Sequence, residues 1–250
     1  MPNDLPARRI LILAGTAEAR DLADALVKLG HDVTSSFAGV TQDPLLPAGR
    51  IHRGGFGGVD GLRSFIAAEG ISLVIDATHP FAAQMSAQAH AACAAEGMSL
   101  MRLERPEWRA QEGDRWIVAA DMAQAVALIP AQSHVLVTTG RKGLAGLFAR
   151  TDLTGLVRAI EKPSETLPPG WSLLLDRPPY KADSEQRLME VEGISCLLTK
   201  NAGGGSTAAK LAAARALGLP VVIIARPLKP PCQTFASVAE ALLGITPKAG

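Results

Sequence analysis

Four segments of this 250-residue chain place glycines, or anion-binding or proton-carrying side chains, directly after short apolar runs. The first, Ala14-Gly15-Thr16-Ala17-Glu18-Ala19-Arg20, follows Ile10 to Leu13. A glycine turn that opens a helix presents backbone N–H groups and the positive end of the helix dipole, which is what a phosphate needs. Only one of the three glycines of a dinucleotide fingerprint is present, so an ordinary turn with Thr16 capping its helix fits equally well. No Gly-Lys-Ser/Thr occurs, which excludes a P-loop. The second segment is Ile75-Asp76-Ala77-Thr78-His79-Pro80-Phe81. Pro80 pushes His79 toward an extended conformation at the start of a helix, facing a cleft; the plainer alternative makes Asp76 or Thr78 a helix cap and gives His79 a local hydrogen bond. The third, Val137-Thr138-Thr139-Gly140-Arg141-Lys142, is a glycine turn carrying two cations. In the fourth, Lys200 and Asn201 stand between the apolar run ending at Leu198 and Gly203-Gly204-Gly205, a setting that favours a cleft over a solvated surface charge. A fifth feature, Gly54-Gly55-Phe56-Gly57-Gly58, forfeits backbone entropy. Such a run is tolerated where positive φ or close approach of a ligand is required, or at a flexible loop tip.

These loops need a scaffold that brings strand ends together. Ile10 to Leu13, Leu73 to Ile75, Val135 to Val137, Cys196 to Leu198 and Val221 to Ile224 are apolar throughout rather than alternating, as strands are when helices cover both faces of a parallel sheet. Helical patterns lie between them. Ala19, Leu22, Ala23, Leu26 and Leu29 recur at three- and four-residue steps before Gly30, and Ala208 to Leu217 is closed by Gly218 ahead of Pro220. Strands are predicted near residues 9, 32, 51, 73 and 98, and again near 116, 135, 156, 173, 196 and 221. The fold class is α/β: two Rossmann-like lobes with parallel sheets flanked by helices and a ligand cleft between them, a single continuous sheet being the alternative. A boundary near the arginine- and tryptophan-bearing stretch 104–114 divides the chain into residues 1–108, an NADP-binding lobe, and 109–250, a lobe contributing to the substrate cleft. In a dinucleotide fold, a carboxylate at the end of the second strand selects NAD through the ribose 2′-hydroxyl. That segment here is Val33-Thr34-Ser35-Ser36-Phe37, with hydroxyls and no terminal acid, which favours NADP.

Composition excludes several classes. With 25 Lys+Arg against 24 Asp+Glu the net charge is +1, not the balance of a nucleic-acid binder. A chain 48% hydrophobic and 20% charged is too apolar for disorder. Three cysteines without a Cys-x-x-Cys pair, and five histidines without a ligand spacing, indicate neither a disulfide framework nor a metal site, and fit a reducing cytoplasm. Arg8-Arg9 precedes an apolar run too short for a signal segment, and no stretch is long enough for a membrane span. The near-zero charge is compatible with a monomer or weak homo-oligomer.

Taken together, the segments from Leu11 to Arg20, Gly54 to Gly58, Asp76 to Ala82, Thr139 to Arg141, Thr199 to Gly204, Ala209 to Leu211 and Ala225 to Pro227 resemble the precorrin-6A reductases of cobalamin biosynthesis. The Asp-Ala-Thr-His-Pro-Phe-Ala string and the Lys-Asn-x-Gly-Gly region are specific, and the resemblance runs from residue 9 to 227. It departs at Ala14 and Ala202, where relatives often carry glycine and serine, both small-for-small changes. The resemblance implies NADPH-dependent reduction of one carbon–carbon double bond of the macrocycle precorrin-6A, hydride to C19 and proton to C18, giving precorrin-6B. It further implies that Gly15, Thr16, Glu18 and Ala19 position the cofactor's phosphates and ribose, Ser35 and Ser36 its 2′-phosphate, and Gly54, Gly55, Thr78 and His79 its nicotinamide half. Such a tetrapyrrole carries many carboxylates, for which Arg141, Lys142, Arg102 and Arg105 are the candidate forks, with Arg226 a further one and Lys200, Asn201, Gly203 and Gly204 beside them. Lys200 is the expected proton donor, its pKa lowered by cationic neighbours, and His79 the second choice. The alternatives are reduction of the cobalt-containing substrate, a tetrapyrrole-modifying transferase, and a non-catalytic dinucleotide-binding module.

Overall fold

The computed structural model of the chain describes residues 7–37 and 46–245. From the N-terminus the chain forms β1 (Arg9–Leu13), α1 (Ala17–Lys28), β2 (Asp32–Phe37), β3 (Arg50–Arg53), α2 (Val59–Glu69), β4 (Leu73–Asp76), α3 (Ala83–Ala95) and β5 (Leu100–Leu103). There follow β6 (Arg115–Ala119), α4 (Met122–Leu128), β7 (His134–Val137), α5 (Ala145–Phe148), β8 (Thr154–Ala159), β9 (Trp171–Leu175), α6 (Ala182–Val191), β10 (Cys196–Lys200), α7 (Ala209–Ala216) and β11 (Pro220–Ile224). The chain ends in β12 (Gln233–Phe235) and α8 (Val238–Ile245). No helix among the described residues is long and apolar enough to cross a membrane.

Two compact units result, one of Met1–Arg105 with Pro227–Gly250, the other of Pro106–Arg226. In the first unit a parallel sheet runs β12-β5-β4-β1-β2-β3. Read from β3, this is the doubly wound order of dinucleotide-binding folds, with β12 in the sixth place. The order reverses between β1 and β4, because the chain builds outward through β2 and β3 and then returns to β1's other side. β1 is apolar throughout because both its faces are covered: Ile10, Leu11 and Ile12 are fully buried. Ile10 and Ile12 pack with Leu22 and Leu26 of α1, while Leu11 and Leu13 pack with Leu62 and Ile66 of α2. Full burial of each such leucine stabilises the unit by about 1.5–3 kcal/mol. Gly30, at φ +87°, ends the α1 turn as its position predicts.

The second unit repeats the plan. Its parallel sheet runs β6-β11-β10-β7-β8-β9 and reverses between β7 and β10. Leu136, Leu197, Val221 and Ile223 share one core cluster with Leu211 and Ala214 of α7. The sixth place is taken by β6, the strand that precedes the rest of the sheet in the chain.

The eleven strands expected from sequence are present, but β12 and the division of the chain differ from expectation. The segment from Pro227 onward, assigned from sequence to the second lobe, belongs to the first unit, and the first crossing falls after Arg105 rather than Trp108. β12 pairs with β5 through Gln233↔Met101, Thr234↔Arg102 and Phe235↔Leu103, and α8 places Ala241 and Ile245 in the cluster that holds Leu22 and Leu26. A three-residue edge strand with Gln233 and Thr234 exposed carries no apolar run by which to see it.

Candidate functional site

In open α/β sheets ligands bind beyond the carboxyl ends of the strands, where the strand order reverses. Each unit brings two of the four strand-end turns to its own reversal.

In the first unit these are the turns after β1 and β4. Gly15 has φ +153°, and a Cβ there would lie 3.7 Å from the His79 amide nitrogen and 3.9 Å from Thr78 Cα, so the two turns touch. Thr16 joins them: its hydroxyl accepts from the Ala19 amide at 3.1 Å, capping α1, and donates to the Ala77 carbonyl at 3.0 Å. One hydroxyl thus both caps α1 and ties the two turns together. Ala19 turns its side chain into the core, 1% exposed, and its N–H is taken by Thr16. Glu18, in the first turn of α1, accepts from Arg105 Nη1 at 2.8 Å.

Asp76, at the end of β4, is 1% exposed and accepts from the Thr78 hydroxyl at 2.6 Å, from the Thr78 amide at 3.2 Å and from Arg102 Nε at 3.1 Å. Burial acts to raise its pKa, but hydroxyl donors and the charges of Lys229 and Arg102 hold it below the ordinary carboxylate value. Neither Asp76 nor Thr78 caps α3, which starts after Ala82 without a side-chain cap. His79 Nδ1 accepts from the Phe81 amide at 3.2 Å, the local bond foreseen for it.

Ser35 and Ser36 lie inside β2, 0% and 5% exposed, and the Ser35 hydroxyl has no partner among the described residues. Gly54 and Gly55 follow the edge strand β3. The Gly54 amide donates to the Phe37 carbonyl at 2.9 Å, and Gly54, Gly57 and Gly58 have φ between +78° and +108°. β2 and β1 stand between these glycines and the Thr78–His79 turn in the sheet.

In the second unit the turns follow β7 and β10. The Thr138 amide and hydroxyl both donate to the Leu198 carbonyl, at 2.9 and 3.2 Å, tying one turn to the other strand. Thr139 is buried, its hydroxyl without a partner among the described residues, and Gly140 has φ +88°. Arg141 Nη1 lies 3.1 Å from Glu161, and Lys142 is exposed. Lys200, half-buried at the end of β10, has its pKa lowered, first by burial and second by the charge of Lys142. Cationic neighbours were the expected cause, and burial proves the larger.

Several of the expected substrate contacts are engaged within the protein itself. Arg102 is 6% exposed, with Nε on Asp76 and Nη1 on the Pro230 carbonyl at 3.1 Å, so its fork serves the first unit's interior. Arg105 faces Glu18. Asn201 accepts from the Trp108 amide at 2.9 Å and donates to the Trp108 carbonyl at 3.1 Å. Trp108 Nε1 donates to the Gly204 carbonyl at 2.7 Å, and Arg226 donates to the carbonyls of Asn201 and Ala202 at 3.0 and 3.1 Å. Gly203, at φ +68°, has no room for a Cβ between the Pro106 carbonyl and the Arg226 guanidinium. The stretch from Asn201 to Gly204 therefore grips both ends of the unit's own chain. Sequence reasoning missed the roles of Asp76 and Trp108; the only local signal was the Asp-Ala-Thr spacing that lets a hydroxyl reach back two residues.

The family model for the precorrin-6x reductase CbiJ/CobK matches residues 9–245. The precorrin-6A reductase of Rhodococcus erythropolis is 46% identical over 237 residues, covering 94% of this chain and 96% of its own. That of Rhodobacter capsulatus is 43% identical over 238 residues, covering 94% of each chain. The cobalt-precorrin-6A reductase of Priestia megaterium is 28% identical over 254 residues, covering 95% of this chain and 99% of its own. A solved structure named CobK precorrin-6A reductase aligns with a TM-score of 0.90 at 41% identity, over 97% of this chain and 100% of that one. With one family model spanning both units, and both strand-order reversals built from the motifs that carried the resemblance, the chain belongs to the precorrin-6x reductase CbiJ/CobK family.

Proposed function

We propose that this chain reduces one carbon–carbon double bond of precorrin-6A to give precorrin-6B, holding NADPH at the β1/β4 end of the first unit and engaging macrocycle carboxylates at the β7/β10 end of the second. The observation that carries the cofactor half is the contact of Gly15 with the Thr78–His79 turn at the reversal of strand order. A side chain-free turn, a capped helix start and its N–H groups fit a pyrophosphate. Glu18, in the first turn, lies on the ribose side. Thr78 and His79, across β1 from β2, fall on the nicotinamide side, whereas Gly54 and Gly55 fall on the adenosine side. The lack of a carboxylate at the end of β2 supports NADPH over NADH, whereas the Ser35 and Ser36 hydroxyls are buried within the strand.

Bound there, NADPH supplies the hydride, to C19 of the macrocycle. The chain's own residues orient the substrate and move one proton. Arg141 and Lys142 bind acetate or propionate groups as charge-assisted donors. Lys200 delivers the proton to C18. Its lowered pKa brings a lysine closer to the working range of a general acid. His79 is the second candidate. The higher identity to precorrin-6A reductases than to the cobalt-precorrin-6A reductase supports the cobalt-free substrate. Its three free cysteines fit a cytoplasmic enzyme, and the tetrapyrrole is its proposed partner. Anaerobic incubation with precorrin-6A, following loss of NADPH absorbance beside an NADH arm, tests the proposal; absence of oxidation overturns it.

A further inference from the structure

Arg53 closes β3, the strand that flanks β2 at the sheet's edge. It stands in register with Phe37, the last residue of β2, on a neighbouring strand about 4.8 Å away. The Gly54 amide donates to the Phe37 carbonyl, carrying the ladder one residue further and fixing Arg53 at the carboxyl rim of the sheet. Gly54 then turns away at φ +108°. Arg53 is exposed and has no ion pair or hydrogen bond among the described residues. The other cation on β2 or β3, Arg50, lies at the opposite end and is bonded to Asp32 at 3.1 Å and Glu69 at 2.8 Å.

In a doubly wound sheet the end of the second strand meets the adenosine ribose, and an arginine nearby is what accommodates a 2′-phosphate. The Ser35 and Ser36 hydroxyls are buried in the strand and bring no charge; Arg53 does, and its planar fork matches a phosphate's oxygens. We infer that Arg53 is the residue that selects the phosphorylated dinucleotide, binding the 2′-phosphate at the rim beyond β2. This inference deepens, and rests on, the placement of NADPH in the first unit.

Steady-state kinetics of the intact Arg53→Ala and Arg53→Lys enzymes with precorrin-6A, against NADPH and NADH separately, test it. Arg53→Ala should raise the NADPH KM about 10- to 100-fold, the loss of one charge-assisted contact, with kcat and the NADH KM within about twofold of the parent. Arg53→Lys should recover part of the loss. Inhibition by adenosine 2′-monophosphate should weaken in Arg53→Ala while inhibition by AMP does not. An unchanged NADPH-to-NADH preference in a folded Arg53→Ala enzyme overturns the inference and leaves the cofactor site standing. A parent enzyme that uses NADH as well as NADPH overturns the cofactor reading itself, a separate outcome.

Discussion

At the scale of single residues, two buried or half-buried charges lie at the strand-order reversals, Lys200 at the end of β10 and Asp76 at the end of β4. As the proposed proton donor, Lys200 must be protonated, so turnover should be lost as pH rises through its pKa, which lies below the ordinary lysine value. Lys142 contributes to the depression by like-charge repulsion, so Lys142→Met should raise the Lys200 pKa and move the alkaline fall in kcat to higher pH. Lys200→Ala should lower kcat about 10²- to 10⁴-fold while the NADPH dissociation constant stays close to that of the parent. Turnover and fluorescence titration together check this, and undiminished turnover would remove Lys200 from the mechanism. Asp76 is the counterpart in the first unit, an anion that holds the Thr78 turn and is itself clamped by Arg102. Asp76→Asn leaves Arg102 buried without its charge partner and should cost about 3–5 kcal/mol in urea unfolding at pH 7. Because the folded-state pKa of Asp76 is depressed, its contribution is present above the unfolded aspartate value and fades as pH falls through the folded one. The gap between parent and variant should therefore narrow under acid.

At the scale of elements, the turns after strands do two jobs that one sequence pattern does not separate. Asn201 to Gly204 has the composition of a ligand loop, yet its amide group, carbonyls and bare Cα hold Trp108 and Arg226. Asn201→Ala strips partners from both the N–H and the C=O of Trp108 and should cost about 2–4 kcal/mol, seen as a lower urea midpoint. Gly203→Ala should cost at least as much, since the methyl group meets backbone on one side and Arg226 on the other. The strands that build the two reversals were legible because burial on both faces leaves an unbroken apolar run, as in Ile10 to Leu13. The loops were legible because glycine and polar residues stand where such runs stop. Their partnerships were not. Arg102 finds Asp76 26 residues away, Arg105 finds Glu18 at 87, and Asn201 finds Trp108 at 93, so which arginine faces a ligand and which a carboxylate is decided by tertiary packing. Arg53 carries no motif at all; only its register against Phe37 gives it meaning.

At the scale of the molecule, each unit is a parallel sheet of the same order whose sixth place is filled from outside the run of strands that builds the rest: β6 arrives before it in one, β12 after it in the other. The first unit is therefore completed only when the chain has passed through all of the second. Its late contributions are specific. Pro230 accepts from Arg102, Lys229 pairs with Glu104, β12 extends the ladder beyond β5, and Ala241 and Ile245 fill the core beside Leu22 and Leu26. Removing everything after Arg226 exposes that core and deprives Arg102 of an acceptor, while Arg226 and its bonds to the Asn201 loop are retained. A chain ending at Arg226 should accordingly lose amide-exchange protection in β1, β4 and β5 and lose dinucleotide binding. β7, β10 and β11 should keep their protection, because all of the second unit's strands and their neighbours remain. Uniform loss of protection through both sheets would show instead that the two units form one cooperative structure.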